Sequence, residues 1–593
     1  MLTPGQKLRH TLDFLLYDWL DAHGLCVQGR YSEHSRETFG AVLDLAEKIA
    51  AEKFAPYNRL VDTEEPSLDG DKVILPAATQ AAWNAYRDSG LLAASQPYAA
   101  GGMQLPAVIE SAANSFFAMA SVSIGSQLLS VSNARTILAY GNKKQQEIFA
   151  NKEFSGEWAG TMCLSEPQAG SSLSDISCKA ILEDADDVLG ARYRLFGNKM
   201  WISSGEHELT PNIVHLVLAK IPHADGSLPS NTRGISLFIV TKYCVNSEGQ
   251  NTERNDVSLA GLNHKCGWRG TTNTLLNFGE GKHTPLGKAG AVAYLVGKPG
   301  EGLRAMFHMM NEARIGIGMA ATMLGMAGFY ASLHYAKERR QGRLPAMDKH
   351  SQSAQVLLIE HADIKRMLLA QKAYCEGSLA LCLYAAKLVD SESPRDKLLL
   401  ELLIPIVKSY PSEFCLEANS LAIQIHGGYG YTRDFPVEQY WRDNRLNMIH
   451  EGTHGIQALD LLGRKIGLHN GDALRALGEE IASSIRYANK QTGLKPYARE
   501  LDEAWAKIVA VSLKVQQMND PQRALANATP FMQAFGTVVI AWIWLQLAAH
   551  GNDAGRTAAF HYFYRYELYK IYAWLPPVEM ADPTCLNTTA DIF

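Results

Sequence analysis

Residues 421–454 read LAIQIHGGYGYTRDFPVEQYWRDNRLNMIHEGTH. Gly427 and Gly428 form a pair at which a backbone can come close to a ligand, because neither carries a Cβ. An aromatic and charged stretch follows. It ends at one carboxylate, Glu451, set between His450 and Gly452. This stretch lies inside a long helical region that a β-rich region precedes.

Working back from it, residues 288–466 read as a helical bundle. Phe307–Arg340 and His361–Val389 are long, with apolar residues on more than one side, which predicts burial among neighbouring helices. Residues 156–287 are different. RYRLFGNKMWISSG (192–205), NIVHLVLAKI (212–221), GISLFIVTKY (234–243) and TTNTLLNFGEG (271–281) are short, β-rich and alternating, with Gly, Asn and Ser between them, so a β domain is expected. Residues 1–155 read as helical, with apolar residues at helical spacing in Phe39–Phe54 and Asn133–Ala150. Residues 467–593 form a further helical segment. The order predicts a mainly α chain with a central β domain, in segregated domains rather than alternating βα units. No GxGxxG follows a strand, which argues against a Rossmann nucleotide site.

The chain has 593 residues, 47% hydrophobic and 20% charged, as expected for a globular enzyme with a large core. Its net charge of −5 gives no argument for nucleic acid or a membrane surface. Residues 467–593 carry 11 Lys and Arg against 12 Asp and Glu, so no basic patch is expected there. The N-terminus is interrupted by polar residues and does not read as a signal peptide. The longest apolar run, Phe535–Ala549, falls short of the roughly 20 residues a membrane span needs, and a buried helix is expected. The nine cysteines include no CxxC, which predicts no zinc site or disulfide framework and fits a reducing cytoplasm.

Four separated motifs resemble the acyl-CoA dehydrogenase family and occur in its order: CLSEPQAGSS (163–172), NKMWISSGEH (198–207), HYAKERRQGRL (334–344) and the opening stretch. The resemblance covers roughly residues 40–465. It implies a helical N-terminal domain, a β-barrel-like middle domain, a helical bundle, FAD as cofactor and an acyl-CoA substrate. The extra C-terminal segment is similar to a subgroup that includes long-chain bacterial enzymes and the 3-methylmercaptopropionyl-CoA dehydrogenases.

By that resemblance Glu451 is the catalytic base and Gly452 lies beside the substrate. Ser165 meets the flavin pyrimidine edge, and Gly170 and Ser171 lie near the FAD pyrophosphate and bound CoA. Trp201 stacks on the flavin, with Ser203 near its N5; in a regular strand the two side chains point the same way. Arg339 reaches the pyrophosphate of a neighbouring subunit's FAD. Gln424, Gly427 and Gly428 approach the adenosine half, and Thr453 contacts FAD. Arg314 is expected near the active site. The chain departs from the family's usual pattern at Ser165 (commonly Thr), Ser172 (commonly Asp), Gln341 before Gly342 (commonly Phe) and His450 (often Tyr). Some relatives carry the base directly before an Arg on another helix. Here Ala313 holds that place, which favours Glu451 as the base. The resemblance further implies medium- to long-chain substrates in fatty acid β-oxidation, an electron-transfer flavoprotein as acceptor and a homodimer. An acyl-CoA oxidase and a non-enzymatic, DNA-associated flavoprotein are the rival readings.

Overall fold

The computed structural model describes residues 2–125, 129–345, 354–551 and 553–593. The chain divides into two compact units. One comprises Asp44–Leu105 and Ala120–Ala313; the other comprises Met1–Leu43, Pro106–Met119 and Arg314–Phe593. The fold is that expected: mostly helical, with the strands gathered in the middle of the sequence.

In the first unit, β1 (Ser67–Asp69) and β2 (Lys72–Ile74) form a hairpin with Asp69 opposite Lys72. The sequence reading expected helices alone here. The missed signal is Gly70-Asp71, a two-residue turn whose leading glycine sits at φ 60°. The main sheet uses β3 (Ala159–Cys163), β4 (Lys179–Asp184), β5 (Arg192–Ser203), β6 (Ile213–Lys220), β7 (Ile235–Thr241), then, after the small β8 (Tyr243–Val245) and β9 (Asn251–Arg254) pair, β10 (Val257–Leu262), β11 (Asn273–Phe278) and β12 (Ala291–Val296). Its order is β10-β11-β5-β12-β7-β6-β3. β4 pairs with both β5 and β6, so β5, β12, β7, β6 and β4 close a ring. Every residue of β6 is buried, as in a strand covered on both faces. Val217 and Ala219 join Phe238, Phe278 and Tyr193 in one core; Val214, Leu216 and Leu218 join Phe149, Trp158 and Met306 in another.

The second unit is helical. The Gly302–Glu338 helix, from Arg314 onward, packs on Pro394–His426, and the contact is close at Gly318. A Cβ there would lie 2.1 Å from the Val407 carbonyl oxygen. Pro411, four residues on, has no N–H to give that carbonyl, so the helix is loosened where the glycine admits its neighbour. We expect Gly318→Ala to cost about 1–3 kcal/mol through overpacking. Thermal unfolding would show a lowered midpoint; an unchanged one would mean that the helices part freely at this point.

The Phe535–Ala549 run lies in a buried helix, Ala528–His550, as expected. Trp542 donates to Ser484 Oγ at 2.8 Å and Trp544 to the Ala373 carbonyl at 3.2 Å, and both rings are fully buried. This helix and Gly302–Glu338 are long and apolar enough to cross a membrane, but both are mostly covered by protein, as core helices are.

Candidate functional site

β3 delivers the chain into the 163–172 loop, which folds back through paired backbone bonds between Glu166 and Ala169 (2.9 and 3.0 Å). The Glu166 side chain is buried beneath it. It accepts from Lys199 Nζ (2.8 Å), Ser177 N (2.6 Å), Ser177 Oγ (2.8 Å) and Cys178 N (3.1 Å). Lys199, also fully buried, donates to the Leu164 carbonyl at 2.9 Å. Burial alone pushes the Glu166 carboxyl up; the Lys199 ammonium and the other donors outweigh it and hold the pKa at about 2. Met200 N donates to the Ser165 carbonyl at 2.9 Å. The first two motifs are therefore stapled together, through residues that motif reading passed over.

The staple presents an aromatic face. β5 carries an extra residue against β11 between the Ile202–Thr274 and Lys199–Leu276 pairs. Within this bulge Trp201 takes φ 66° and turns outward, 60% exposed. The regular alternation expected between Trp201 and Ser203 is interrupted there. Ser165 and Ser203 are half-buried, while Gly170 and Ser171 are exposed, with open space where a Cβ of Gly170 would stand.

The remaining expected residues lie in the helical unit and fall into two groups. In the first, Gly427 ends the Pro394–His426 helix at φ 62°, and open space surrounds both it and Gly428. Gln424 is exposed on the last helical turn. The Arg339 guanidinium lies 5.7 Å from the centre of the Tyr429 ring, which brings Arg339 to the glycine pair. Its neighbour Arg340 is held locally, donating to the Gln355 carbonyl at 3.1 Å.

The second group surrounds Glu451. Glu451 and Gly452 sit at φ 53° and 95°, just before the helix His454–Gly463, whose N-cap is Thr453. A non-glycine residue held in the left-handed region marks a site that its surroundings constrain. Two side chains supply the constraint. Gln457 Nε2 donates to the Glu451 carbonyl at 3.0 Å, and Lys408 Nζ to the Gly452 carbonyl at 2.8 Å. Burial raises the Glu451 pKa, and the nearby Arg314 and Lys408 charges partly oppose it. Burial pushes the Lys408 ammonium down to about 7 despite the pull of Glu451. His450 is pushed down to about 3 by burial and by Lys408, so it is neutral at working pH; its Nε2 lies 3.0 Å from Asn447 Oδ1. Arg314 thus joins Glu451, and Lys408 is a member that sequence reasoning missed.

Residues 300–466 match the family model "Acyl-CoA dehydrogenase, C-terminal domain", and residues 37–157 match "Acyl-CoA dehydrogenase, N-terminal domain". Residues 477–589 match "Acetyl-CoA dehydrogenase C-terminal like". A 3-methylmercaptopropionyl-CoA dehydrogenase of Ruegeria pomeroyi is 35% identical over 86% of this chain and 85% of its own length. The chain belongs to the acyl-CoA dehydrogenase family. A broad-specificity linear acyl-CoA dehydrogenase of Mycobacterium tuberculosis is 29% identical over 93% of this chain and 92% of its own. An acyl-CoA dehydrogenase of Bacillus anthracis, solved with FAD, shares the fold at TM-score 0.72 and 18% identity, covering 94% of this chain and 90% of its own. Membership makes this acyl-CoA dehydrogenase an FAD-dependent oxidoreductase acting on a CH–CH bond. The residues present fit that cofactor. An outward Trp201 suits a flavin ring, an exposed Arg339 suits a phosphate, and open space at Gly170, Gly427 and Gly428 admits a ligand against backbone.

Proposed function

We propose that the enzyme dehydrogenates saturated acyl-CoA thioesters at the α,β position, with Glu451 removing the α-proton. The observation that carries this reading is the constrained Glu451 carboxylate, raised by burial and flanked by Arg314 and Lys408. An α-proton beside a thioester is weakly acidic, so its base needs a pKa moved toward the working pH. Burial moves the Glu451 pKa in that direction, and the two cations oppose it in part. The Glu451 N–H is the donor this chain offers to the thioester oxygen, where negative charge gathers as the proton leaves. Bound FAD supplies the acceptor for the β-hydride. Trp201, Ser165 and Ser203 would hold its flavin. Gly170 and Ser171 would border its pyrophosphate and the CoA, Arg339 would pair with the pyrophosphate from a neighbouring subunit, Gln424, Gly427 and Gly428 would receive the adenosine half, and Thr453 would touch it. Gly452 and Arg314 would line the substrate.

The substrate proposed is a medium- to long-chain straight acyl-CoA of fatty acid β-oxidation, passed through in the cytoplasm by a homodimer that hands electrons to an electron-transfer flavoprotein. The 35% identical relative supports a second reading, 3-methylmercaptopropionyl-CoA. Anaerobic bleaching of the purified enzyme's flavin band by saturated acyl-CoAs of graded length, with 3-methylmercaptopropionyl-CoA alongside, separates them. Fastest bleaching by medium- to long-chain acyl-CoAs is the expected result. Bleaching confined to the sulfur-containing thioester would replace the first reading with the second. Peroxide formed in air at the turnover rate would instead indicate an oxidase.

A further inference from the structure

Lys408 has no part in any motif, yet its side chain is wholly buried. Lysine is almost never buried completely unless paired, because an ammonium out of water is costly. Among the described residues its hydrogen-bond acceptor is a single group, the Gly452 carbonyl at 2.8 Å. One neutral carbonyl does not offset a buried charge. The opposite charge that acts on it is the Glu451 carboxylate, one residue before Gly452 along the loop.

The helix around it is built to deliver this side chain. Pro405 and Pro411 bracket Lys408 within Pro394–His426, and each removes a helical N–H. Gly318 lets the Gly302–Glu338 helix approach the Val407 carbonyl, one residue before Lys408. The other charged group that acts on both is Arg314 on that second helix; Arg314 in turn faces Asp460 on His454–Gly463, Arg464 just after it, and Glu401 on Lys408's own helix, itself ion-paired with Lys465. His450 is the neutral ring beside it.

We infer that Lys408 is a positioning residue for the reaction: its side chain ties down the Gly452 carbonyl, fixes the left-handed Glu451–Gly452 backbone and sets a positive charge beside the loop that carries the Glu451 carboxylate. This rests on Glu451 being the base. A lysine that only propped the loop would contribute geometry; this one also contributes charge, and the two contributions separate experimentally.

The test compares kcat/KM against pH for the holoenzyme, Lys408→Met and Lys408→Arg, with the acyl-CoA that bleaches the flavin best. Methionine keeps most of the volume and loses the charge. The expected result is an acid limb moved upward by about one pH unit or more, the size of effect a neighbouring opposite charge exerts on a carboxylate. kcat is expected to fall while KM stays near that of the wild type. An acid limb at its wild-type position in Lys408→Met overturns the inference, however much activity is lost. If Lys408→Met yields no folded holoenzyme, Lys408→Arg decides: with charge retained the acid limb must stay in place, and a displaced limb overturns the inference. Glu451→Gln keeps the two failures apart. Turnover retained in that variant refutes the base, whereas an inactive Glu451→Gln beside an unmoved Lys408→Met limb refutes only the role of Lys408.

Discussion

Replacing Glu451 with glutamine is expected to lower kcat by about 10²- to 10⁴-fold, the usual contribution of a positioned general base, while the protein still binds its flavin. The amide has nearly the shape of the carboxylate. The loop's two anchors, Gln457 on the Glu451 carbonyl and Lys408 on that of Gly452, hold backbone and not the carboxylate, so they persist. What disappears is the proposed acceptor for the α-proton. The pH dependence has a definite sign. Burial raises the Glu451 pKa, so the wild-type enzyme must gain activity as pH rises through a value above the ordinary carboxyl range. That limb must vanish in the glutamine variant. Single-turnover reduction of the flavin by acyl-CoA reads both effects, and reduction at an undiminished rate would remove Glu451 from the mechanism.

The largest loss of stability is expected from Lys199→Met. It leaves the Glu166 carboxylate buried under the 163–172 loop without its cation, and breaking a buried pair in this way costs roughly 3–5 kcal/mol. The loop should loosen as well, because Lys199 also holds the Leu164 carbonyl next to Ser165. The variant should therefore melt earlier and lose flavin on gel filtration. Glu166→Gln together with Lys199→Met removes both charges and should recover part of the loss; a double variant as unstable as the sum of the two singles would show that the charges are not coupled. The pH signature follows from the depressed carboxyl. Its stabilising contribution is complete above the ordinary value of 4.5 and is lost as pH falls through about 2. Wild-type protein should lose that support across this acid window, whereas the double variant has none to lose there.

These residues mark how far the sequence could be read. Glu451 stood out in the sequence because Gly452 and Thr453 follow it in a recognisable order. Arg314 was legible as the partner of Ala313 in an alternative-base motif. Lys408, Glu166 and Lys199 were not, because a single Lys or Glu in a helix, loop or strand reads as a solvated surface charge. Their partners are distant in sequence: Lys408 meets Gly452 44 residues on, and Lys199 meets Glu166 33 residues back. One local hint existed, since Lys408 stands between two helix-interrupting prolines in an otherwise apolar stretch, IPIVKSYP (404–411). The strands showed themselves by alternation, but alternation holds no record of a bulge. The turn of Trp201 out of β5 became visible only through the register with β11. The β1–β2 hairpin was overlooked because two three-residue strands are too short to impose a period on their surroundings.

Gly377 lies in the Ala362–Val389 helix with no room for a side chain: an added Cβ would stand 2.9 Å from Trp544 Nε1 and 3.0 Å from Ile540 Cγ2. The Ala362–Val389 helix is thus shaped to the C-terminal segment at this point, and its surface there is finished by Trp544 and Ile540 rather than by a side chain of its own. Cutting the chain after residue 466 would bare that surface to water, so the segment belongs to the core of the bundle and is no detachable appendage.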